Sequence, residues 1–311
     1  MNRTCICSWI IGGLAAASLV RAAAAQEPTD TVHLTPVVVT SARREIPLRD
    51  ATAAVTVITG AELRDRGIRF VADALRDVPG VALAQVGSLG GVTSLFVRGG
   101  NSNYTKVLID GVPVNQSGGA YDFADLTTGD IDRIEILRGP ASVLYGSDAV
   151  SGVVQIFTRR GVGPARVDAA VEGGSRGTSV ASLSAGGGGA AAGYALGFSR
   201  YDADGNYPFN SHYRNGTVSA STRAAPDSLT TVSGTLRYTE RTYHFPTDGS
   251  GQLADSNQFT SADQLALGVE AARRVSARVE ARLALALHSD DDAFTEPFAS
   301  EHTTLVLVWL R

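Results

Sequence analysis

The side chains best suited to chemistry are scattered along this sequence, and their spacing argues against catalysis. Five histidines stand at positions 33, 212, 244, 288 and 302, with neither the HExxH nor the paired-histidine spacing that builds a zinc centre. Ser147 and Asp148 are neighbours in YGSDAVSG. They lack the G-x-S-x-G elbow that lifts a serine nucleophile onto a strand-to-helix turn. No enzyme is expected. Carboxylate chemistry remains: Asp202 and Asp204 alternate in YDADGN, and Asp248 and Asp255 follow in the next long polar stretch. Hard oxygen ligands on loops suit calcium, so Asp202, Asp204 and Asp255 are the candidate metal ligands, without a full EF-hand register. Arg98, Glu135 and Arg138, in VRG and RIEILRGP, are candidates for structural charges.

The N-terminus reads as an export signal. Arg3 precedes an apolar stretch from Ile6 to Val20, interrupted by Gly12 and Gly13, and Ala23-Ala24-Ala25 stands before Gln26; residues 1–25 therefore have the pattern of a cleaved signal peptide. Cys5 and Cys7, the only cysteines, both lie in it, so neither disulfides nor thiolate metal sites hold the exported fold. A net charge of -4 gives no reason to expect nucleic acid. Beyond the signal no apolar run reaches the length of a membrane-spanning helix. The 34 glycines and single methionine point to turns and sheet.

Next comes LTPVVVTSARR, residues 34–44. β-Branched residues favour extended backbone, and Pro36 disfavours helix at Thr35. Such a run can add as a strand to the sheet edge of another protein.

Residues 45–161 read as a mixed domain. AVTVITGAELRDRGI predicts a strand and then a helix capped by Thr59 with Glu62 three residues on. FVADALRDVPG predicts a second helix, with Val71, Leu75 and Val78 on one face. Strands follow at SLFVRG, TKVLIDG and IDRIEIL, then a short helix with Pro140 in its first turn and a last strand at VVQIFT. Glycines 99, 111, 139 and 146 are expected at turns of positive φ.

Three stretches of this half, VADALRDVPGV, LFVRGGNSNYTKVLIDGVPVN and IDRIEILRGPASVLYGSDAVSGVVQIFTRR, resemble the plug domain of TonB-dependent outer-membrane receptors. The second is most similar to the cobalamin receptors and their siderophore-carrying relatives. Ser151 and Gln155 depart from the family's usual glycine and asparagine.

Residues 162–311 have the pattern of a partial barrel. Leu265, Leu267, Val269 and Ala271 alternate with Gln264, Ala266, Gly268 and Glu270, and Val279 to Leu287 repeat the alternation. Period two with one apolar face is the strand signature. Weaker copies near 166–173, 178–186, 191–201, 214–224, 228–241 and 302–310 bring the count to about eight strands. Tight joins at GGGGA, AAPD and RRVS alternate with long polar joins at 202–213, 242–260 and 289–301, as in a transmembrane β-barrel. A soluble sandwich would show the same alternation. About eight strands cannot enclose a plug, whereas barrels of about 22 strands do. The expected fold is an α+β plug followed by the first strands of an antiparallel transmembrane β-barrel, in a chain that is a truncated product or partial gene.

The resemblance implies a receptor in the outer membrane of a Gram-negative bacterium. It would sit in outer-membrane lipid, bind cobalamin or a ferric siderophore, and import it with energy delivered by TonB. Within the N-terminal extension, residues 26–44, the TonB-binding segment would be Thr35, Pro36, Val37, Val38, Val39 and Thr40. Ligand contacts would map to Val92, Ser94, Asn101, Gly119 and Ala120, and barrel-loop aspartates to calcium. A reading of another class stays open, a non-transporting fragment that serves only as a binding module or is a decayed remnant. Val38→Pro removes a ladder donor from the proposed TonB strand and nothing from the pocket. It should abolish uptake while leaving ligand binding intact; loss of binding in an equilibrium assay would place the segment in the plug.

Overall fold

The computed structural model describes residues 38–39, 46–48, 51, 53–247, 251–254, 257–277, 279–296 and 299–310. The predicted signal peptide lies outside them. Two short strands come first, β1 (Val38–Val39) and β2 (Ile46–Pro47), paired antiparallel.

The α/β part begins at β3 (Ala54–Thr59), which leads into α1 (Gly60–Asp65). Thr59 caps that helix as its spacing predicts, Oγ1 accepting from the Glu62 N–H at 3.2 Å. Helix α2 (Val71–Arg76) follows, and Val71, Leu75 and Val78 are all buried. Strands β4 (Val81–Gln85) and β5 (Thr93–Val97) form a hairpin. The remaining elements are β6 (Thr105–Ile109), β7 (Val112–Pro113), β8 (Ile131–Arg138), α3 (Ser142–Tyr145) and β9 (Gly152–Thr158). Pro140 stands one residue ahead of the Ala141 cap rather than inside the helix. Strands β3, β8, β9, β6 and β7 make one sheet in that order, with β6 and β9 parallel. The middle strands β8 and β9 pair antiparallel and place Ile134, Ile136, Val154 and Ile156 in the apolar cluster that also holds Leu63 of α1 and Val71, Ala74 and Leu75 of α2. Glycines 99, 111, 139 and 146 all have positive φ, between +76° and +126°.

The second part is a single meander: β10 (Gly163–Gly173), β11 (Ser179–Gly188), β12 (Ala192–Ala203), β13 (Tyr213–Asp227), β14 (Thr230–His244), β15 (Phe259–Arg274), β16 (Glu280–Glu296) and β17 (Ala299–Leu310). All neighbours pair antiparallel and the end strands are not paired with each other. Joins at 189–191, 228–229 and 275–279 lie at one end, and the longer 204–212 and 245–258 at the other. The long join expected at 289–301 is absent, because β16 runs to Glu296 and β17 starts at Ala299. HSDDDAFTE lacks an apolar face and so reads as loop, yet its backbone pairs fully with β15.

Register makes the sidedness of this sheet plain. One row across the strands reads Leu196, Ala220, Leu236, Leu267, Leu287, Val308, and the row beside it reads Gly197, Ser219, Arg237, Ala266, His288, Leu307. The first row, with Phe198, Val218, Val269 and Leu285, faces away from the α/β part, and many of its large side chains are exposed. The second faces the α/β part, where Ser219, Arg237 and His288 are buried. A sheet that turns its apolar face outward and its polar face inward is built for lipid rather than water. Leu285→Arg should therefore cost about 2–4 kcal/mol of folding into a bilayer, measured by urea titration in lipid vesicles; an unchanged midpoint would mean this face does not meet lipid.

Candidate functional site

Three loops of the α/β part gather toward the end of the sheet that carries the long joins. The first, 86–92, closes the β4–β5 hairpin: the Val86 N–H donates to the Val92 carbonyl at 3.0 Å, and Gln85 Nε2 donates to the Ser88 carbonyl at 2.8 Å. Gly91 is packed so tightly that a Cβ there would stand 1.8 Å from the Val86 carbonyl oxygen. The second loop runs through 99–104, and the third through 115–122. Asn115 is the strut of the third. Buried among apolar strands, it accepts from the Val107 N–H at 2.8 Å and donates to the Thr105 and Gly119 carbonyls at 2.9 and 2.6 Å.

These loops are tied to one another. Gly119, at φ +90°, lies against Asn103, whose carbonyl oxygen would be 2.7 Å from any Cβ. Asp122 accepts from the N–H groups of Thr93 and Ala124 at 2.8 and 2.9 Å, joining the first loop to the third. The residues expected to touch a ligand lie in or beside these tied loops. Val92 is 53% exposed and Asn101 is exposed, Ser94 and Ala120 are half-buried, and Gly119 is buried. Gly119 thus acts through the shape of its loop.

Below this face the α/β part meets the polar inner rows of the sheet. Arg241 Nε stands 2.7 Å from Asp125, with Asp292 at 3.7 Å and Asp122 at 4.0 Å. Arg237 pairs with Asp130, both side chains under a tenth exposed. Gln116 Nε2 donates to Asp290 at 3.0 Å, Tyr213 Oη to the Ala124 carbonyl at 3.2 Å, and Asn215 Nδ2 to the Asp125 carbonyl at 3.0 Å. Ser88 and Tyr243 join their hydroxyls at 3.2 Å. Burial pushes the Asp125 carboxyl up to about 7, with Arg241 working against the shift. Burial likewise raises Asp110, although Thr158 donates to it. Sequence reasoning missed these seam residues. The available signal was Arg237, Thr239 and Arg241 alternating in a strand whose other face is apolar, opposite the acidic run DFADLTTGD.

The charges singled out from the sequence differ in exposure, Arg98 exposed, Arg138 half-buried and Glu135 buried. The Arg98 backbone N–H bonds the Gly80 carbonyl at 2.8 Å and its φ is +51°. Glu135 accepts from Arg133 at 2.8 Å, and Arg138 donates to the Pro79 carbonyl and to Thr56 at 2.5 and 3.0 Å. These partners all belong to the α/β part. Ser147 donates to Asp148, which Lys106 also holds, at 2.7 Å. Asp202 lies between Arg200 and Arg214, each within 2.9 Å, and Asp204 lies 3.5 Å from His212; two guanidiniums supply Asp202 with the charge a cation would bring. Asp255 lies outside the described residues, among which no cluster of three or more acidic, cysteine or histidine side chains could hold a metal. Of Thr35 to Thr40, only Val38 and Val39 are described. They are extended as expected, but paired with Ile46 and Pro47 of the same chain.

Residues 47–153 match the TonB-dependent Receptor Plug Domain family. This region is a TonB-dependent receptor plug domain. A curated relative, the vitamin B12 transporter BtuB of Vibrio vulnificus (strain CMCP6), is 41% identical over 122 residues, which are 39% of this chain and 20% of the relative. The alcaligin outer-membrane receptor FauA of Bordetella pertussis superposes with a TM-score of 0.71 at 16% identity, over 86% of this chain and 44% of its own. The ferric citrate transporter FecA gives 0.68 at 19% identity, over 84% and 43%. The chain therefore spans a fifth of the curated relative and less than half of each solved receptor. Its long sheet has the fold of the first strands of their barrels, and none of these proteins is an enzyme.

Plug and barrel wall are thus joined by buried ion pairs. Arg237→Ala leaves Asp130 buried without its partner, which should cost about 3–5 kcal/mol; chemical denaturation followed by a probe on the plug measures it, and a cost near zero would mean that Asp130 reaches water.

Proposed function

We propose that this chain forms the plug and first barrel strands of an outer-membrane receptor that imports cobalamin, with a ferric siderophore as the other substrate class, using force supplied by TonB. The observation that carries this reading is the 41% identity with a vitamin B12 transporter over 122 residues. The plug's three tied loops offer Val92, Asn101 and Ala120 to a bulky ligand, with Ser94 beside them in β5, and Gly119 shapes the last of them. The plug blocks the barrel lumen, so uptake requires the plug to move. A mechanical partner on the inner side provides for this by gripping an extended segment ahead of the plug, Thr35 to Thr40, through strand addition.

A membrane without its own energy source can concentrate a scarce solute only by coupling to work done elsewhere. The polar plug–wall seam suits an interface that must part and re-form, since hydrogen bonds lost there can be replaced by bonds to water. Outer-face apolar rows match residence in lipid.

In a strain lacking its own cobalamin receptor, a complete receptor gene that carries this chain should restore growth on limiting cobalamin and not on siderophore-bound iron. The reverse pattern assigns the siderophore class, and restoration of neither sinks the transport reading. Gly119→Val, which drives a side chain into Asn103, should weaken ligand binding by about tenfold or more, roughly 1.4 kcal/mol, at unchanged surface expression.

A further inference from the structure

The plug–wall seam holds more buried acid than base. Buried Asp125 and nearly buried Asp122 share the single guanidinium of Arg241 with Asp292, which is 37% exposed, all within 4.0 Å, while Arg237 is matched by Asp130. Asp290, 3% exposed, accepts from Gln116 with one oxygen, and its other oxygen is unpartnered. From the wall, Tyr213 also faces Asp125, at 3.4 Å; from the plug, Tyr121 borders with Asp125 a small cavity of about 20 Å³. Arg237 and His288 line that cavity from the other side, and His288 is 2% exposed with Nε2 unpartnered.

Surplus carboxylate charge in so dry a place must be neutralised. The cavity has room for one or two waters and not for a cation with six or more oxygen ligands. A proton is the neutraliser that fits.

We propose that the seam is a proton-binding site, in which Asp125 takes up one proton as the plug seats against the wall and returns it to solvent when the two part. The event is a plain protonation, carboxylate to carboxylic acid, and it stands independently of which nutrient is carried. The direction of its pH dependence follows from linkage. Exposed, Asp125 would release its proton near pH 3.9; seated, burial moves that to about 7. The seated state binds the proton more tightly, so the stabilisation is complete below the lower value and is lost as pH rises through the higher. Acid clamps the plug and alkali loosens it.

Difference infrared spectroscopy of the purified protein in detergent tests this directly. A neutral-carboxyl stretch should titrate near neutrality and vanish in Asp125→Asn, and the thermal midpoint of the parent should rise from about pH 8 to about pH 5 while that of Asp125→Asn stays flatter. If Asp125→Asn does not fold, Asp292→Asn serves: removing one competing carboxylate should move the carboxyl titration to lower pH. The proposal is overturned if the stretch persists in Asp125→Asn, if both proteins share one pH slope, if an imidazolium signal shows His288 holding the proton, or if sodium or calcium removes the pH dependence by occupying the site.

Discussion

A strand that crosses lipid must satisfy every backbone polar group within the sheet and show the hydrocarbon only apolar side chains. That constraint settles what is left for the inner face. With Leu196, Leu236, Leu267 and Leu287 spent on the outer row, the inner rows carry arginine, aspartate, serine, threonine and histidine. The plug therefore meets a wall unlike its own core. It keeps an apolar centre of its own around α2 and the middle strands, which Ala266 and Ala286 of the wall touch, while a separate aromatic cluster packs Phe70 and Leu89 of the plug against Tyr201, Tyr213 and Tyr243 of the wall.

Two consequences follow for the ligand face. A plug that folds around its own core presents loops whose shape does not depend on the wall, and Asn115 and Asp122 do that work by bonding backbone groups across loops. The wall then reads the same loops from the side: Arg241 lies near both Asp122 and the Gly90 carbonyl, and Gln116 reaches Asp290. The plug's loops and the seam are joined by hydrogen bonds.

Much of this was legible in the sequence where local rules decide the outcome. Thr59 caps because its hydroxyl needs nothing beyond the next turn; Leu265, Leu267 and Val269 declare a strand because period two is local. The eight strands of the sheet and the turn glycines were readable for the same reason. The seam was not, because Asp125 and Arg241 are separated by more than a hundred positions and neither is unusual alone. The stretch HSDDDAFTE misled for a related reason: its acids look like solvated loop until the plug is placed opposite them. Arg98, Glu135 and Arg138 were recognisable as structural charges, but which surface they serve depends on packing.

The strand pair at the start of the chain bears on how an outside strand would compete for Val38 and Val39. A tethered rival such as Ile46–Pro47 holds a local concentration on the order of millimolar, which would shut out any weak partner. Yet Pro47, opposite Val38, has no N–H to give, so β2 brings at most the Ile46 N–H to the ladder. If an outside strand pairs with this segment as proposed, its rival is two residues long and can donate at most one backbone bond.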